Sequence, residues 1–536
     1  KEEADSWKTS FVLNGPLINN ILGLQLRGSY LDRQKSDRIP GTSGRDPRPS
    51  EADTYDVGGK LSFKMNDQNS FWVDAFQSSQ TYSNDDDRLG TQDTPSRARG
   101  YKDELEFNRE QYSLGHDGDY SFGKWSTYVS QTETETKGRT IPTGTFAQNA
   151  YAGADRNLKN KDFVADTHII APIANHIVTV GAEYKKAEVA DDLAGMGAKF
   201  DKDSYSFYAE DEWRLRENLA FTFGGRYEDH SGFGGQFSPR GYLVWNASDA
   251  WTFKGGVSTG YKAPSPKALH DGVIGVSGQG ANFQIGSPNL KPEESVNYEL
   301  GFNYTKGNLD LTTTAFFNKI DNLITEGPDL LNCSFEKNPN RPGCVSYGSH
   351  IKQDTFSQSI NADEAETKGV ELSLKYQIIP EWDIKAAYTY MESEITKGKN
   401  KGSYLSNVPK NAFNMTSTWH INPAMDVWLQ HEYKSDRKRY STEQTAGDAA
   451  FIYKATGNKL NGYNLFNLGA NYSLSDNVRI TGAVNNLLDK DFTKNESYID
   501  ANGDPASYYD YMIIGSGMSG TYLPGRNYWL SISYDF

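Results

Sequence analysis

The chain is a succession of one unit: an alternating apolar and polar segment of about ten residues, a very short turn, a second such segment, then a longer polar loop. Its last segment shows the alternation plainly. Reading back from the end, Phe536, Tyr534, Ile532, Leu530 and Tyr528 fall at every second position, with Asp535, Ser533 and Ser531 between them. Period-2 alternation is the mark of a β-strand with one apolar and one polar face. The same pattern places Tyr205, Phe207, Ala209 and Trp213 on one face and Ser206, Tyr208, Glu210, Glu212 and Arg214 on the other, before Arg216-Glu217-Asn218 turns into Leu219, Phe221, Phe223 and Tyr227. Val296, Tyr298, Leu300, Phe302 and Tyr304 turn at Lys306-Gly307-Asn308 into Leu309, Leu311, Thr313 and Ala315. Val370, Leu372, Leu374 and Tyr376 turn at Pro380-Glu381 into Trp382, Ile384, Ala386 and Tyr388. Near the start, Trp7 to Leu13 meets Leu22 to Leu26 across Asn14-Gly15-Pro16.

A string of soluble β-sandwiches would vary its turns without order. Here tight and long connections alternate, with long loops expected at about 34–52, 83–103, 138–157, 263–293, 323–357, 440–459 and 493–524. That asymmetry suits strands crossing a lipid layer, with short turns on one side and long loops on the other. Composition agrees: only 36% of the 536 residues are hydrophobic, yet 13% are aromatic, and aromatics recur at strand ends where a membrane interface would lie. No window approaches the ~18 consecutive apolar residues of a membrane helix. The expected fold class is therefore all-β, a transmembrane antiparallel β-barrel occupying residues 1–536 as one unit. About 21 strands are legible. The first and last both meet the short-turn side, so an even, closed barrel needs one more strand before Lys1, giving about 22.

The net charge of -15 argues against nucleic acid as a partner. Cys333 and Cys344 are the only cysteines, close together among Pro, Asn and Gly, and are expected to form a disulfide that pins a loop in an oxidising compartment. Asp500-Ala501-Asn502-Gly503-Asp504 begins like a calcium loop, but its twelfth position is Tyr511, and Asp85-Asp86-Asp87 reads as a solvated acidic run. No nucleophile elbow, metalloprotease or phosphate-loop motif is present, so no enzymatic activity and no metal or cofactor of the protein's own is expected.

The closing strand resembles that of bacterial outer-membrane barrels, where Tyr528, Leu530, Ile532, Tyr534 and the terminal Phe536 would be read by the barrel-assembly machinery. Gly260-Tyr261-Lys262-Ala263-Pro264-Ser265, Gly286-Ser287-Pro288-Asn289-Leu290-Lys291-Pro292-Glu293 and Tyr298-Glu299-Leu300-Gly301 resemble the barrel signature of TonB-dependent receptors, the ligand-gated transporters of Gram-negative outer membranes. Thr367-Lys368-Gly369-Val370-Glu371-Leu372, Asn407-Val408-Pro409-Lys410, Val484-Asn485-Asn486-Leu487-Leu488-Asp489-Lys490 and Pro524-Gly525-Arg526 are similar to further segments of the family. Most of these residues shape turns and strand ends. Within the family, Gly275-Val276-Ser277-Gly278-Gln279-Gly280, Asn14-Gly15-Pro16-Leu17 and the run 462–536 are similar to catecholate siderophore receptors, nearest to enterobactin receptors and the colicin I receptor.

The resemblance implies TonB-powered import of a ferric siderophore, with the iron carried by the siderophore. A ferric tris-catecholate is anionic and has flat aromatic faces, so its site should set Arg or Lys beside aromatic rings. Arg437, Lys438 and Arg439, with Tyr433 and Tyr440, supply this at a strand top, and Lys262 and Lys267 follow another. The same cluster read blandly meets lipopolysaccharide phosphates or water. Haem is a competing ligand, because His270 lies where haem receptors of the family place an axial histidine. A passive porin, of another class, would have fewer strands and an inward-folded constriction loop. The family also carries an N-terminal plug that engages TonB, and nothing in 1–536 corresponds to it. Further expectations are contact with outer-membrane lipid, a monomeric state, and bacteriocins or phages as possible users of the loops.

Overall fold

Each alternating segment pairs with the next one in the chain. The computed structural model describes residues 5–35, 51–87, 89–143, 150–277, 282–404, 406–445, 447–500, 503–512 and 523–534. Among them, one sheet holds 24 strands. Three are short loop strands, Val273–Ser277, Asn282–Ile285 and Leu330–Leu331; the other 21 form one antiparallel ladder in chain order, from Ser6–Ile18 to Asn527–Tyr534. The fold is all-β in this coarse sense, with one α-helix, Gly447–Thr456, among the described residues.

One end of the ladder has tight turns. Residues such as Ala174 (φ 54°) and Gly307 (φ 61°) take the left-handed conformation that reverses the chain in two residues. The other end carries the long connections, although 192–198 and 231–233 are short there too, so the alternation of short and long is less strict than the sequence suggested. The strands Tyr101–Tyr120 and Thr355–Ile379, 20 and 25 residues long, exceed the ~9–11 that cross a bilayer and rise beyond it as walls. The first turn differs from expectation. The strand Ser6–Ile18 runs through Asn14-Gly15-Pro16 and turns at Asn20 (φ 60°) instead. Among the described residues this strand pairs only with Leu22–Arg33, and Pro16 lies at its turn end, opposite Gly23, where a missing N–H costs little.

The two faces sort as the alternation requires. Tyr205 and Phe207 are exposed on the outer wall while Ser204 and Ser206 are buried on the inner one. Inside, Arg226 bonds Glu183 and, at 3.1 Å, Glu228; Arg240 meets Glu210 at 2.5 Å; Arg27 grips Asp74 through both carboxylate oxygens at 2.8 and 2.9 Å. Glu210, on the polar face of its strand, and Arg226 thus line the interior. On the last strand Tyr528, Leu530, Ile532 and Tyr534 share one exposed face; Phe536 lies outside the described residues.

Two long loops are knitted together. Phe283, Ile285 and Phe356 form a small buried core beneath Val273, Val276, Leu330, Val345 and Tyr347. Cys333 and Cys344 are disulfide-bonded, Cα atoms 5.1 Å apart, and Asn332 fastens the ring by donating to the carbonyls of His350 (2.8 Å) and Gln353 (2.7 Å). Opening so short a ring by replacing both cysteines with serine is expected to cost this cap about 3 kcal/mol. Faster hydrogen exchange confined to 330–357, with the barrel ladder unchanged, is the check.

Candidate functional site

The strand Met425–Lys434 carries the chain to the rim, where the two-residue strand Arg437–Lys438 pairs with Lys459–Leu460. Between them the helix Gly447–Thr456 ends on Gly457 and Asn458, both left-handed, and Asn458 then clamps Tyr440 through its N–H (2.7 Å) and carbonyl (2.9 Å). Extended backbone sends successive side chains to opposite sides, so the basic run expected to act together is split.

Arg437 and Arg439 turn inward and are only 9% and 4% exposed. Arg437 donates to Asn407 Oδ1 at 2.9 Å and to the backbone carbonyl of Tyr511, and lies 5.8 Å from the Tyr463 ring centre. Arg439 donates to the carbonyl of Tyr509 at 2.5 Å and lies 5.4 Å from the ring of Tyr508. Neither Nε has a partner among the described residues, and burial pushes both guanidinium groups below their usual pKa range. Their bonds hold the C-terminal loop, whose core is Tyr463, Phe492 and Tyr511, against the rim. Sequence reading placed these arginines facing a ligand; in the structure they face loop carbonyls.

Lys438 is exposed on the other side. It opens into a cavity of about 590 Å³ that is also walled by Lys368, Glu392, Lys410 and, from its buried side, Arg437. Lys368 stands two residues from Val370, and Val370 is a direct partner of Ala315, itself the partner of the exposed Leu300, so the cavity lies on the outer wall. Tyr433 also faces outward, four residues from exposed Leu429.

The remaining expected residues sit elsewhere. Lys262 is exposed beside Glu293 at 3.2 Å. Lys267 is tied to Asp191 at 2.5 Å, and the same carboxylate takes two 2.8 Å bonds from Arg156. Asp191 is 1% exposed and thereby locks three connections at the rim. His270 packs edge-on against buried Phe200, ring centres 4.9 Å apart. Of the Gly-rich stretch, Gly275, Val276 and Ser277 belong to a short loop strand, and 278–280 lies outside the described residues. Sequence reading missed the Asp191 network and an inner-wall aromatic pair, Tyr82 and Phe107 (5.7 Å), near Arg109. Strand parity could have found the latter, since Phe107 and Arg109 are two apart and opposite in phase to the exposed Tyr112.

A chain-ordered antiparallel ladder with an apolar outer wall, an inner wall of ion pairs and tall loops at one end defines a large β-barrel of the outer-membrane kind. The family described as TonB dependent receptor-like, beta-barrel matches residues 7–487, and the chain belongs to it. It is a receptor barrel of the outer membrane of Gram-negative bacteria. The chain is 28% identical over its whole length to the iron-regulated outer membrane virulence protein of Vibrio cholerae, covering 72% of that protein. It is 25% identical over 99% of its length to the ferric enterobactin receptor PirA of Pseudomonas aeruginosa, again 72% of that protein. A crystal structure of the ferric enterobactin receptor PfeA from the same organism superposes with a TM-score of 0.77 at 22% identity, covering all of this chain and 78% of that one, which speaks for the fold.

Proposed function

We propose that the chain is the barrel of a TonB-dependent receptor importing a ferric siderophore of the catecholate class. The observation that carries this reading is end-to-end similarity to proteins named as enterobactin receptors in Pseudomonas aeruginosa and Escherichia coli. The rim supports it chemically: Arg109 beside Phe107 and Tyr82 offers a cation next to rings, which suits an anionic complex with flat aromatic faces, and Lys262, exposed at a strand top, adds a second cation. Arg437, Arg439, Tyr440 and Lys267 serve the site through the loops they hold, whereas Lys438 and Tyr433 stand outside it. Iron is cargo, and the receptor calls for no resident cofactor.

On this reading the complete barrel has about 22 strands. Its ends, Ser6–Ile18 and Asn527–Tyr534, do not pair with each other among the described residues, and the relatives are longer than the part matched. One strand and a plug engaging TonB would then lie in sequence outside 1–536. Titration of the full-length receptor with ferric enterobactin, a ferric hydroxamate and haem is expected to favour the catecholate by about a hundredfold, a difference of ~2.8 kcal/mol. Haem binding of equal strength, abolished by His270→Ala, would overturn the siderophore reading in favour of haem.

A further inference from the structure

One imidazole joins the two loops of the cap. The disulfide-bonded segment rests on the core of Phe283, Ile285 and Phe356 through Val345, Tyr347 and His350. The His350 ring centre is 4.6 Å from that of Phe283, in the other loop, and 5.9 Å from that of Phe356, which it meets edge-on. The backbone of His350 is tied into the disulfide segment in both directions: its N–H donates to Ser334 Oγ at 3.0 Å, and its carbonyl accepts from Asn332. Where this ring goes, the segment 333–350 goes with it.

The niche suits a neutral ring. His350 Nε2 lies 3.0 Å from the backbone oxygen of Tyr347, which can only accept, so Nε2 carries the proton and Nδ1 is bare. A second proton would set a positive charge and a new donor between two buried phenyl rings. The carboxylates of the surrounding segments are already engaged. Asp271 accepts from the Tyr347 hydroxyl at 3.3 Å, Glu336 pairs with Lys352 at 2.7 Å, and Asp354 with Arg341 at 2.5 Å. From the opposite loop, Val273, Val276, Phe283 and Ile285 bring no charge. Burial accordingly holds the imidazole below its ordinary pKa, and the bond to the Tyr347 carbonyl offsets only part of that effect. With a folded-state value below the unfolded value of ~6.5, the neutral ring stabilises the cap fully above ~6.5, and this is lost as pH falls through the lower folded value.

We infer that His350 is an acid-released latch, whose protonation frees the disulfide segment from Phe283 and Phe356 and so opens the cap at the outer end of the barrel. The floor beneath it stays in place, because the parallel pairing of Phe283, Gln284 and Ile285 with Phe356, Ser357 and Gln358 does not use the imidazole. The root of the other loop stays as well, since Lys267 ties it to Asp191 independently of His350. The disulfide keeps the released segment a single unit, so that it can close again when the proton leaves. The latch works the same way whichever ligand the receptor imports.

The test is hydrogen exchange of the full-length receptor between about pH 7.5 and about pH 5.5, corrected for the intrinsic pH dependence of amide exchange. Protection of 333–350 in the wild type should fall by up to about tenfold, the most that one proton bound only by the open form can give per pH unit below ~6.5. Residues 263–272 and the barrel ladder should stay protected. His350→Gln keeps a neutral donor for the Tyr347 carbonyl and should make protection level across the range, whereas His350→Arg, charged throughout, should leave the cap open at neutral pH. His230→Gln removes an imidazole stacked on Phe233, outside the cap, and should keep the wild-type response. Exchange of the His350 ring C2–H, read by mass spectrometry on the wild type, should titrate over the pH range in which the cap opens, so the latch is tested even where a variant disturbs the cap. Protection that is flat in acid, protection that rises because the phenyl rings hold the cation, a response that persists in His350→Gln, or a ring that titrates apart from the opening would overturn the latch. None of these outcomes bears on siderophore affinity, so the two readings fail separately.

Discussion

Asp191→Ala is expected to cost the outer rim about 3–5 kcal/mol, because it leaves two cations in a site built around one carboxylate. Arg156 approaches that carboxylate in a two-point grip, Lys267 closes the third side, and the Leu193 N–H adds a fourth bond at 3.0 Å. The three charged residues come from three separate connections, so the loss is local: residues 150–157 and 263–272 should exchange their amides faster while the barrel ladder stays protected. Asp191→Asn keeps the shape and removes the charge, and should fall between the alanine variant and the wild type. Burial by itself would raise the pKa of Asp191, but hydrogen bonds and charge from Arg156, then from Lys267, outweigh it and hold the group below the ordinary carboxylate range. A depressed folded-state value means the stabilisation is complete above the unfolded value of ~3.9 and is lost as pH falls through the lower folded one. The rim should therefore stay closed down to about pH 4 and loosen below it. Unchanged exchange in Asp191→Ala would show that solvent already carries these charges.

What the sequence made legible was set by period and parity. The faces of Tyr205 to Arg214, with Glu210 on the polar one, and the turns at Lys306-Gly307-Asn308 and Pro380-Glu381 all follow from local alternation, and the structure has them. Cys333 and Cys344 paired because short chain separation and turn residues leave few alternatives. The first turn misled because Asn-Gly-Pro permits a turn without requiring one: Asn14, Gly15 and Pro16 stay extended opposite Gln25, Leu24 and Gly23, and Asn20 (φ 60°) makes the reversal. The site was harder. Adjacent basic residues at 437–439 looked like one exposed patch, but period-2 geometry buries the side chains of Arg437 and Arg439 and leaves Lys438 exposed. Their partners at Tyr509 and Tyr511 lie some seventy residues away and are invisible to any local pattern. Asp191 meets Lys267 across 76 residues for the same reason.

Arg437→Glu/Arg439→Glu is the second large effect, and it separates two roles that charge alone cannot. If the arginines touched the imported anion, reversal would weaken binding while the C-terminal loop stayed in place. The structure instead aims both guanidinium groups at backbone carbonyls of that loop, so each reversal sets a carboxylate against an acceptor and forfeits charge-assisted bonds of roughly 1.5–3 kcal/mol. The aromatic core of Tyr463, Phe492 and Tyr511 is small, and losing both anchors should detach the loop. Protease cleavage within 493–512 should then rise sharply before any change in barrel melting. Arg437→Gln, which keeps a neutral donor for the Tyr511 carbonyl and relieves a buried charge that lacks a carboxylate partner among the described residues, should leave the loop nearly as protected as in the wild type. Weakened ferric-catecholate binding in the double reversal is expected only together with cleavage. Binding lost from an intact, protected loop would return the arginines to the ligand site and remove their role as anchors.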